Sequence, residues 1–289
     1  PLLVKKLIAG DEHRIRPCVG AGYCIDRIYG EGEMLCLHNV ATTREKSVPH
    51  LVQKSDNQSK VVIIGAGPAG LEAARVCGER GHKVILIEAA STLGGQVRLA
   101  SMAEVRKDLI GVIDWLESEI KHLNIEIRLQ QYADANYIIN EDPDIVIIAT
   151  GGIPDLEYIE GLEDCFSTWD VLSGQALLQN LGLLKESEPN TVLVYDDHGQ
   201  HQAASTVIEI AKRGYQVELI TPDRHMAAEM GSSNFPMYMK NFKDYNVAVT
   251  PDFRLVDVSR SGNKLKARFS CDYGGHIVEK LVDHIVIEH

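Results

Sequence analysis

Long apolar stretches are missing from this 289-residue sequence. The two longest, around residues 61–71 and 145–154, are strand-sized and interrupted by glycine. They fall short of the roughly 18 residues that a membrane-crossing helix needs. Positive charge is also scarce: 29 Lys and Arg stand against 41 Asp and Glu, for a formal net charge of −12. With no Lys/Arg cluster to meet phosphates, nucleic acid and anionic membranes are excluded as general partners. The 11 histidines form no H-x-x-x-H pair on a recognisable helix, so a zinc site has no support. Six cysteines are too few and too unevenly spaced for a disulfide scaffold. No charged-then-apolar leader opens the chain, and a cytoplasmic protein is expected. The sequence starts at Pro1 with a short helical pattern and stops at Ile285-Val286-Ile287-Glu288-His289, inside what reads as a buried strand. A domain seldom stops there, so a piece of a longer polypeptide is expected.

What is present is a repeated supersecondary unit. Residues 61–64 (Val-Val-Ile-Ile) form a short β-branched run, the pattern of a strand buried on both faces of a parallel sheet. Residues 68–80 read as a helix with Gly81 as its C-terminal cap, and residues 83–87 as the next strand. Met102, Val105, Leu109, Val112, Leu116, Ile120 and Leu123 then keep three-and-four spacing, which predicts one long amphipathic helix. Ile125, Ile127 and Leu129 alternate as in a strand, and residues 145–148 read as another buried strand. The unit returns at Thr191, with a strand over 192–195, a helix over 203–213, Gly214 as cap and a strand over 216–221. Residues 253–287 alternate around Ser261-Gly262-Asn263 and Tyr273-Gly274-Gly275, as antiparallel strands do.

Gly65-Ala66-Gly67-Pro68-Ala69-Gly70 lies directly between the first strand and its helix. In that context each glycine has a task. Gly65 permits the tight turn, Gly67 lets backbone approach a pyrophosphate, and Gly70 lets helix and strand pack closely. The helix N-terminus adds free N–H groups and a positive dipole end. Glu88, 23 residues after Gly65, closes the second strand, where its carboxylate accepts from a ribose diol and repels a 2′-phosphate. An adenosine diphosphate moiety is the expected ligand. Gly94-Gly95-Gln96 and Ala149-Thr150-Gly151 each read alone as ordinary turns. Together with the glycine turn and Glu88 they resemble the FAD-binding half of the glutathione-reductase-like flavoproteins with two dinucleotide folds.

Upstream of that unit stand Cys18, Cys24 and, after eleven further residues, Cys36. Three thiols so close in a protein expected to be cytoplasmic point to metal or redox chemistry. Their order, with Arg16-Pro17-Cys18-Val19-Gly20 and Cys24-Ile25-Asp26-Arg27, resembles one family over essentially the whole chain. This is the multidomain old-yellow-enzyme relatives: trimethylamine, dimethylamine and histamine dehydrogenases and 2,4-dienoyl-CoA reductase. The resemblance implies an α/β protein with two Rossmann-type lobes and a β-meander, preceded by a cluster-bearing segment and a missing (β/α)8 barrel that holds FMN. Pro1 to Leu7 would be the tail of that barrel's last helix. Implied domains are a cluster segment over 1–54, an FAD- or ADP-binding domain over 55–164 plus 281–289, and a second NAD(P)-like domain over 165–280. Cys18, Cys24 and Cys36 would be iron–sulfur ligands. The family's second cysteine is replaced here by Ala21, which leaves a three-thiolate cluster with Asp26 or His38 as fourth ligand, a three-iron cluster, or none.

The second unit departs from the first. Where three glycines would be needed stands Asp196-Asp197-His198-Gly199-Gln200-His201-Gln202-Ala203, and Thr221 occupies the position of Glu88. Two carboxylates facing a pyrophosphate would each cost on the order of 1 kcal/mol or more. NAD(P) binding is therefore not expected in this lobe. That loss resembles the amine dehydrogenases, especially relatives that demethylate N-methyl amines or amino acids. It implies an oxidoreductase whose electrons leave to an electron-transferring flavoprotein or similar acceptor, in a protein that forms homo-oligomers when complete. Two other readings stay open: an NADPH-dependent enoate or 2,4-dienoyl-CoA reductase, and a non-catalytic ADP-binding module. No catalytic acid, base or nucleophile is nominated, since the family's substrate contacts lie on the barrel.

Overall fold

The computed structural model describes residues 2–173 and 190–289, which form two compact units. The first comprises the residues up to Ser101 together with Lys107–Gly152, and the second Met102–Arg106 with Ile153–His289. Pro1 lies outside the described residues.

The first unit is built on four parallel strands: β1 (Lys60–Ile64), β2 (Lys83–Ile87), β3 (Ile125–Arg128) and β4 (Ile145–Ile148), in the order β3-β2-β1-β4. The β-branched runs alternate across the sheet. Val61, Ile63, Val84 and Leu86 face α3 (Pro68–Arg80) and α5 (Ile110–Lys121), whose Leu71, Ala74, Ile113, Leu116 and Ile120 complete one core. Val62, Ile85 and Ile87 face the other way, onto Ile138 of α6 (Ala135–Asn140). The junction from α3 to β2 is closed by Gly81 at φ +92, a left-handed cap that a β-carbon would strain.

Two expectations fail in this unit. Residues 145–148 are not buried: Ile145, Val146 and Ile148 are exposed, Ile148 by 74%. Among the described residues β4 pairs with β1 alone, and the α6 layer packs on β1 and β2. Nor is 102–123 one helix. α4 (Gln96–Met102) ends there, a 3-10 turn spans Glu104–Leu109, and α5 begins at Ile110. Val105 packs on the core of the second unit while Val112, Leu116 and Ile120 pack on the first. The three-and-four spacing thus joined two stripes that serve different cores.

Ahead of the sheet run α1 (Leu3–Ala9) and α2 (Tyr23–Tyr29). This segment is tied to α5 by side chains more than a hundred residues apart. Arg14 forms a two-pronged ion pair with Glu119, at 2.9 Å for both N···O contacts, and Trp115 Nε1 donates to the Arg14 carbonyl at 2.9 Å. The Arg16 guanidinium lies 3.9 Å from the Trp115 ring centroid, a cation–π contact.

Among the described residues the second unit has five parallel strands in the order β5-β12-β6-β7-β8: β5 (Phe166–Ser167), β6 (Thr191–Asp196), β7 (Gln216–Ile220), β8 (Ala248–Thr250) and β12 (His284–Glu288). Among the described residues its helices are α7 (Thr168–Leu172), α8 (His201–Ala211) and α9 (Phe235–Asp244). α8 and α9 cover one face through Val207, Ile208, Tyr238 and Phe242. The antiparallel meander β9 (Phe253–Ser261), β10 (Lys264–Cys271) and β11 (Ile277–Val282) covers the other through Leu255, Leu265 and Phe269. Its turns fall at Gly262 and Gly274, as the sequence predicts.

The final strand corrects the expected division at 281–289. β12 does not return to the first sheet; it pairs with β6, from His284 opposite Val192 to Glu288 opposite Asp196. One residue, Asp283, separates β11 from β12, and at roughly 3.5 Å per residue that link can reach only the neighbouring sheet. Asp283 fixes the junction by accepting from the Thr191 backbone N–H and hydroxyl, both at 2.8 Å. The other boundary also moves, because Leu156, Tyr158, Ile159 and Leu162 pack on this same core.

Substitution separates the two kinds of apolar strand residue. Ile63→Ala, at a fully buried position, is expected to cost about 2–4 kcal/mol. Ile148→Thr, on the exposed strand, is expected to stay within about 0.5 kcal/mol. Urea denaturation of the two variants checks both.

Candidate nucleotide-binding site

The three glycine-bearing segments and Glu88 meet at the C-terminal ends of β1, β2 and β4. Gly65 adopts φ +94, and a β-carbon there would lie 2.4 Å from the Ala149 carbonyl oxygen. A β-carbon on Gly70 would lie 1.9 Å from the Gly65 carbonyl oxygen. Strand, turn and helix therefore touch at distances that no other residue type permits. Gly94 N–H donates to the Ala66 carbonyl at 2.8 Å, which brings Gly94-Gly95-Gln96 onto the turn. Gln96 Nε2 donates to the Gly152 carbonyl at 2.9 Å, next to Ala149-Thr150-Gly151.

Gly67 differs from its two partners. A β-carbon there would meet nothing within 4 Å, so its absence leaves open space beside the turn. Gly67 is the N-cap of α3 and brings no side chain to the first-turn amides, while Pro68 occupies the first helical position. The amides of Ala69 and Gly70 thus stand at a helix end with no side-chain cap, the arrangement that suits an anion. Glu88 is more firmly placed than its sequence position reveals. Its carboxylate accepts from Ala66 N–H at 2.6 Å and from Ala90 N–H at 2.8 Å, which spans the turn it serves. Each oxygen keeps a lone pair for a hydroxyl. These residues fit the adenosine diphosphate part of a dinucleotide.

The corresponding loop of the second unit is filled from within. Asp196 has no exposed surface. Its Oδ1 accepts from Gly199 N–H at 2.9 Å and His198 N–H at 3.2 Å, while Oδ2 is buried with no partner among the described residues. Glu288 accepts from the Thr168 hydroxyl and lies 3.2 Å from His198 Nδ1. Gly199 is pressed by residues 223–230: its β-carbon would lie 2.8 Å from Asp223 Oδ2, and its carbonyl accepts from Glu229 N–H at 2.9 Å. Met226 and Ala227 of that segment are buried in the core. Thr221, at the position of Glu88, is buried and accepts from Asp223 N–H at 3.1 Å, so that position carries no carboxylate. The sequence shows the lost glycines and gives no sign of the packed segment.

Cys18 is exposed and Cys24 and Cys36 half-buried, and all three are free thiols. Among the described residues, no three His, Cys, Asp or Glu side chains stand at metal-ligand spacing. His38 is turned inward: its ring meets Trp115 edge-on at 5.4 Å, and Nε2 is buried with no hydrogen-bond partner among the described residues. Burial, together with the nearby Arg16, pushes its imidazole down to about 4. With three separate thiols and a methyl group at Ala21, the segment does not fit a four-thiolate iron–sulfur centre. No helix among the described residues is long and apolar enough to cross a membrane.

A parallel sheet with a strand–turn–helix unit at its centre, used twice and with a glycine cradle on the first copy, defines a two-lobed dinucleotide fold. A family model, pyridine nucleotide-disulphide oxidoreductase, matches residues 59–282, and the chain belongs to that family. It is 44% identical over its whole length to a "Probable N-methylproline demethylase" of Rhizobium meliloti (strain 1021). It is 39% identical, again over its whole length, to an N,N-dimethylglycine/sarcosine dehydrogenase of Chromohalobacter salexigens. The chain spans 41% and 42% of those relatives' own lengths. A histamine dehydrogenase structure from Rhizobium sp. 4-9 superimposes with a TM-score of 0.86 at 23% identity. The match covers 99% of this chain and 45% of that one, a likeness of fold.

Two outcomes follow from this geometry. Gly67→Ala is expected to leave the melting temperature unchanged and to weaken ADP binding at least about tenfold, by isothermal titration calorimetry, because the added methyl enters the space beside the helix end. In the second unit, burial lifts the Asp196 carboxyl to about 6, against the N–H bonds from Gly199 and His198, while Glu288 and Asp223 add repulsion. The folded value lies above the unfolded one, so the destabilisation is complete above pH 6 and fades as the pH falls toward about 4. Asp196→Asn is expected to stabilise the protein at pH 7.5 by on the order of 2–3 kcal/mol, with no gain at pH 4. Thermal unfolding across that range checks it.

Proposed function

We propose that this chain is the nucleotide-binding and electron-transferring portion of a flavin-dependent amine dehydrogenase or N-demethylase. The observation that carries the reading is the contrast between the lobes: an open glycine cradle with a positioned Glu88 in the first, and a filled, acidic loop in the second. FAD, or ADP in a structural part, is the group the first lobe would hold. When bound, FAD supplies a flavin ring that accepts and passes on electrons.

The chain's own residues account for selection of that group. The open α3 N-terminus and the bare Gly67 backbone receive a diphosphate. Glu88 takes a ribose diol and, being anionic, disfavours a 2′-phosphate. Gly94-Gly95-Gln96 and Ala149-Thr150-Gly151 wall the same space. NAD(P) has no place in the second lobe of this reading, since Asp196 is sealed and residues 223–230 press on the loop. Substrate oxidation belongs to the remainder of a longer polypeptide, with FMN on its barrel and an external flavoprotein as acceptor. No step is routed through an iron–sulfur centre.

The test is made on the longer polypeptide. Nucleotide released by heat and resolved by chromatography is expected to include one FAD or ADP per chain beyond any FMN. An N-methyl amino acid is expected to bleach the flavin and release formaldehyde, and NADPH to leave the flavin oxidised. Reduction by NADPH without amine turnover would instead establish the enoate reductase reading.

A further inference from the structure

We infer that residues 14–38 of this chain form a metal-free clamp, in which an aromatic and ionic core around Trp115 takes over the fastening that iron and thiolates give. The inference concerns the segment itself and holds under any of the functional readings. It starts at Ala21, where the iron–sulfur family that the chain resembles has its second cysteine. Ala21 is partly buried against the core of the first unit, as is the more deeply buried Val19. Gly111 of α5 admits this loop: a β-carbon there would lie 3.2 Å from Val19 Cγ1 and 3.4 Å from Pro17 Cγ. The stretch between Cys18 and Cys24 thus turns an apolar side to α5.

The thiols do not turn to one space. Cys36 lines a hollow of about 350 Å3 together with Tyr23 and His38, and neither Cys18 nor Cys24 borders it. Of the two fourth ligands that the sequence offers, His38 is committed elsewhere. Its ring packs edge-on against Trp115, and its carbonyl accepts from Arg16 Nη1.

What the segment has instead is charge arranged around one indole. The Arg16 guanidinium lies 3.9 Å from the Trp115 ring centroid, that of Arg75 5.6 Å and the Lys6 ammonium 6.0 Å. Cations so placed are attracted by the ring. Each of them also has an acceptor. Glu72 accepts from Arg75 at 2.6 and 2.8 Å and lies 3.7 Å from Arg16, while Glu79 accepts from Arg75 at 2.7 Å. Lys6 donates to the Arg14 carbonyl, and Arg14 itself pairs with Glu119. Arg75 and Glu119 are 7% and 4% exposed. Buried charges with their partners in place fix one geometry and are costly to separate. A metal centre fastens a short segment by tying distant points of chain together. Here Arg14, Arg16 and His38 are already tied to α3 and α5.

The test uses the longer polypeptide, purified without oxygen and incubated with ferrous iron, sulfide and a thiol. After desalting, iron and acid-labile sulfide are expected to stay below about 0.3 per chain, where a cluster would give about three or four. Cys18→Ser, Cys24→Ser and Cys36→Ser combined are expected to keep the melting temperature within about 1 °C. Trp115→Leu and, separately, Arg16→Gln are expected to lower it by about 4 °C or more. In Arg16→Gln the amides of residues 14–38 are expected to exchange at least about tenfold faster, while those of β1 and β2 keep their rates. Stoichiometric iron, with a visible band that the triple serine variant loses, would overturn the inference. So would a triple variant that loosens residues 14–38 as much as Arg16→Gln does, or an Arg16→Gln variant whose exchange there is unchanged.

Discussion

The structure turns on a backbone approach closer than any side chain allows. At Gly65 and Gly70, strand β1, the start of α3 and the end of β4 come within distances that a single β-carbon would occupy. Because nothing stands between them, the helix N-terminus points out over the strand ends with its amides free of a side-chain cap. Glu88 then fastens the turn to the next strand through Ala66 and Ala90. The turn, the acid and the two outer glycine segments are thus one construction, held by the Gly94–Ala66 backbone bond and by the side chains of Glu88 and Gln96 on backbone groups.

The second unit shows what happens when the same architecture keeps its packing and loses that approach. β6, α8 and β7 repeat the strand–helix–strand block, and Gly214 at φ +89 closes it as Gly81 closes the first. The side chains that replace the glycines turn inward. Asp196 bonds its own loop, and residues 223–230 supply buried side chains beside it. The lobe retains its sheet and fills its mouth with its own side chains. The buried Asp196 carboxylate, with one oxygen unpartnered, is a cost carried at neutral pH.

Exposed apolar surface is the other recurring feature. It appears on α1 and α2 and on β4, elements whose sequences have the composition of packed structure. Their patterns are those of buried elements, and their positions at the margin of the first unit leave them uncovered. Arg14, Glu119, Arg16 and Trp115 hold the first of these regions to α5 and fix the presentation of its apolar face.

The sequence by itself determined the repeated βαβ blocks, the glycine cradle, Glu88 and the turns of the meander, because each depends on residues within some twenty positions of one another. Local rules of spacing, glycine conformation and alternation apply there without knowledge of the rest. Only the tertiary structure decided that Ile145–Ile148 is exposed, that 102–123 is divided between two cores, and that β12 belongs to the second sheet. It also decided that Ala21 and three cysteines stand in a segment anchored by Arg14 and Trp115, and that residues 223–230 press on the second loop. Those outcomes depend on which partner an apolar stripe or a strand edge finds. An isoleucine has the same pattern whether it meets a core or water, and contacts between distant residues leave no trace in the spacing of either.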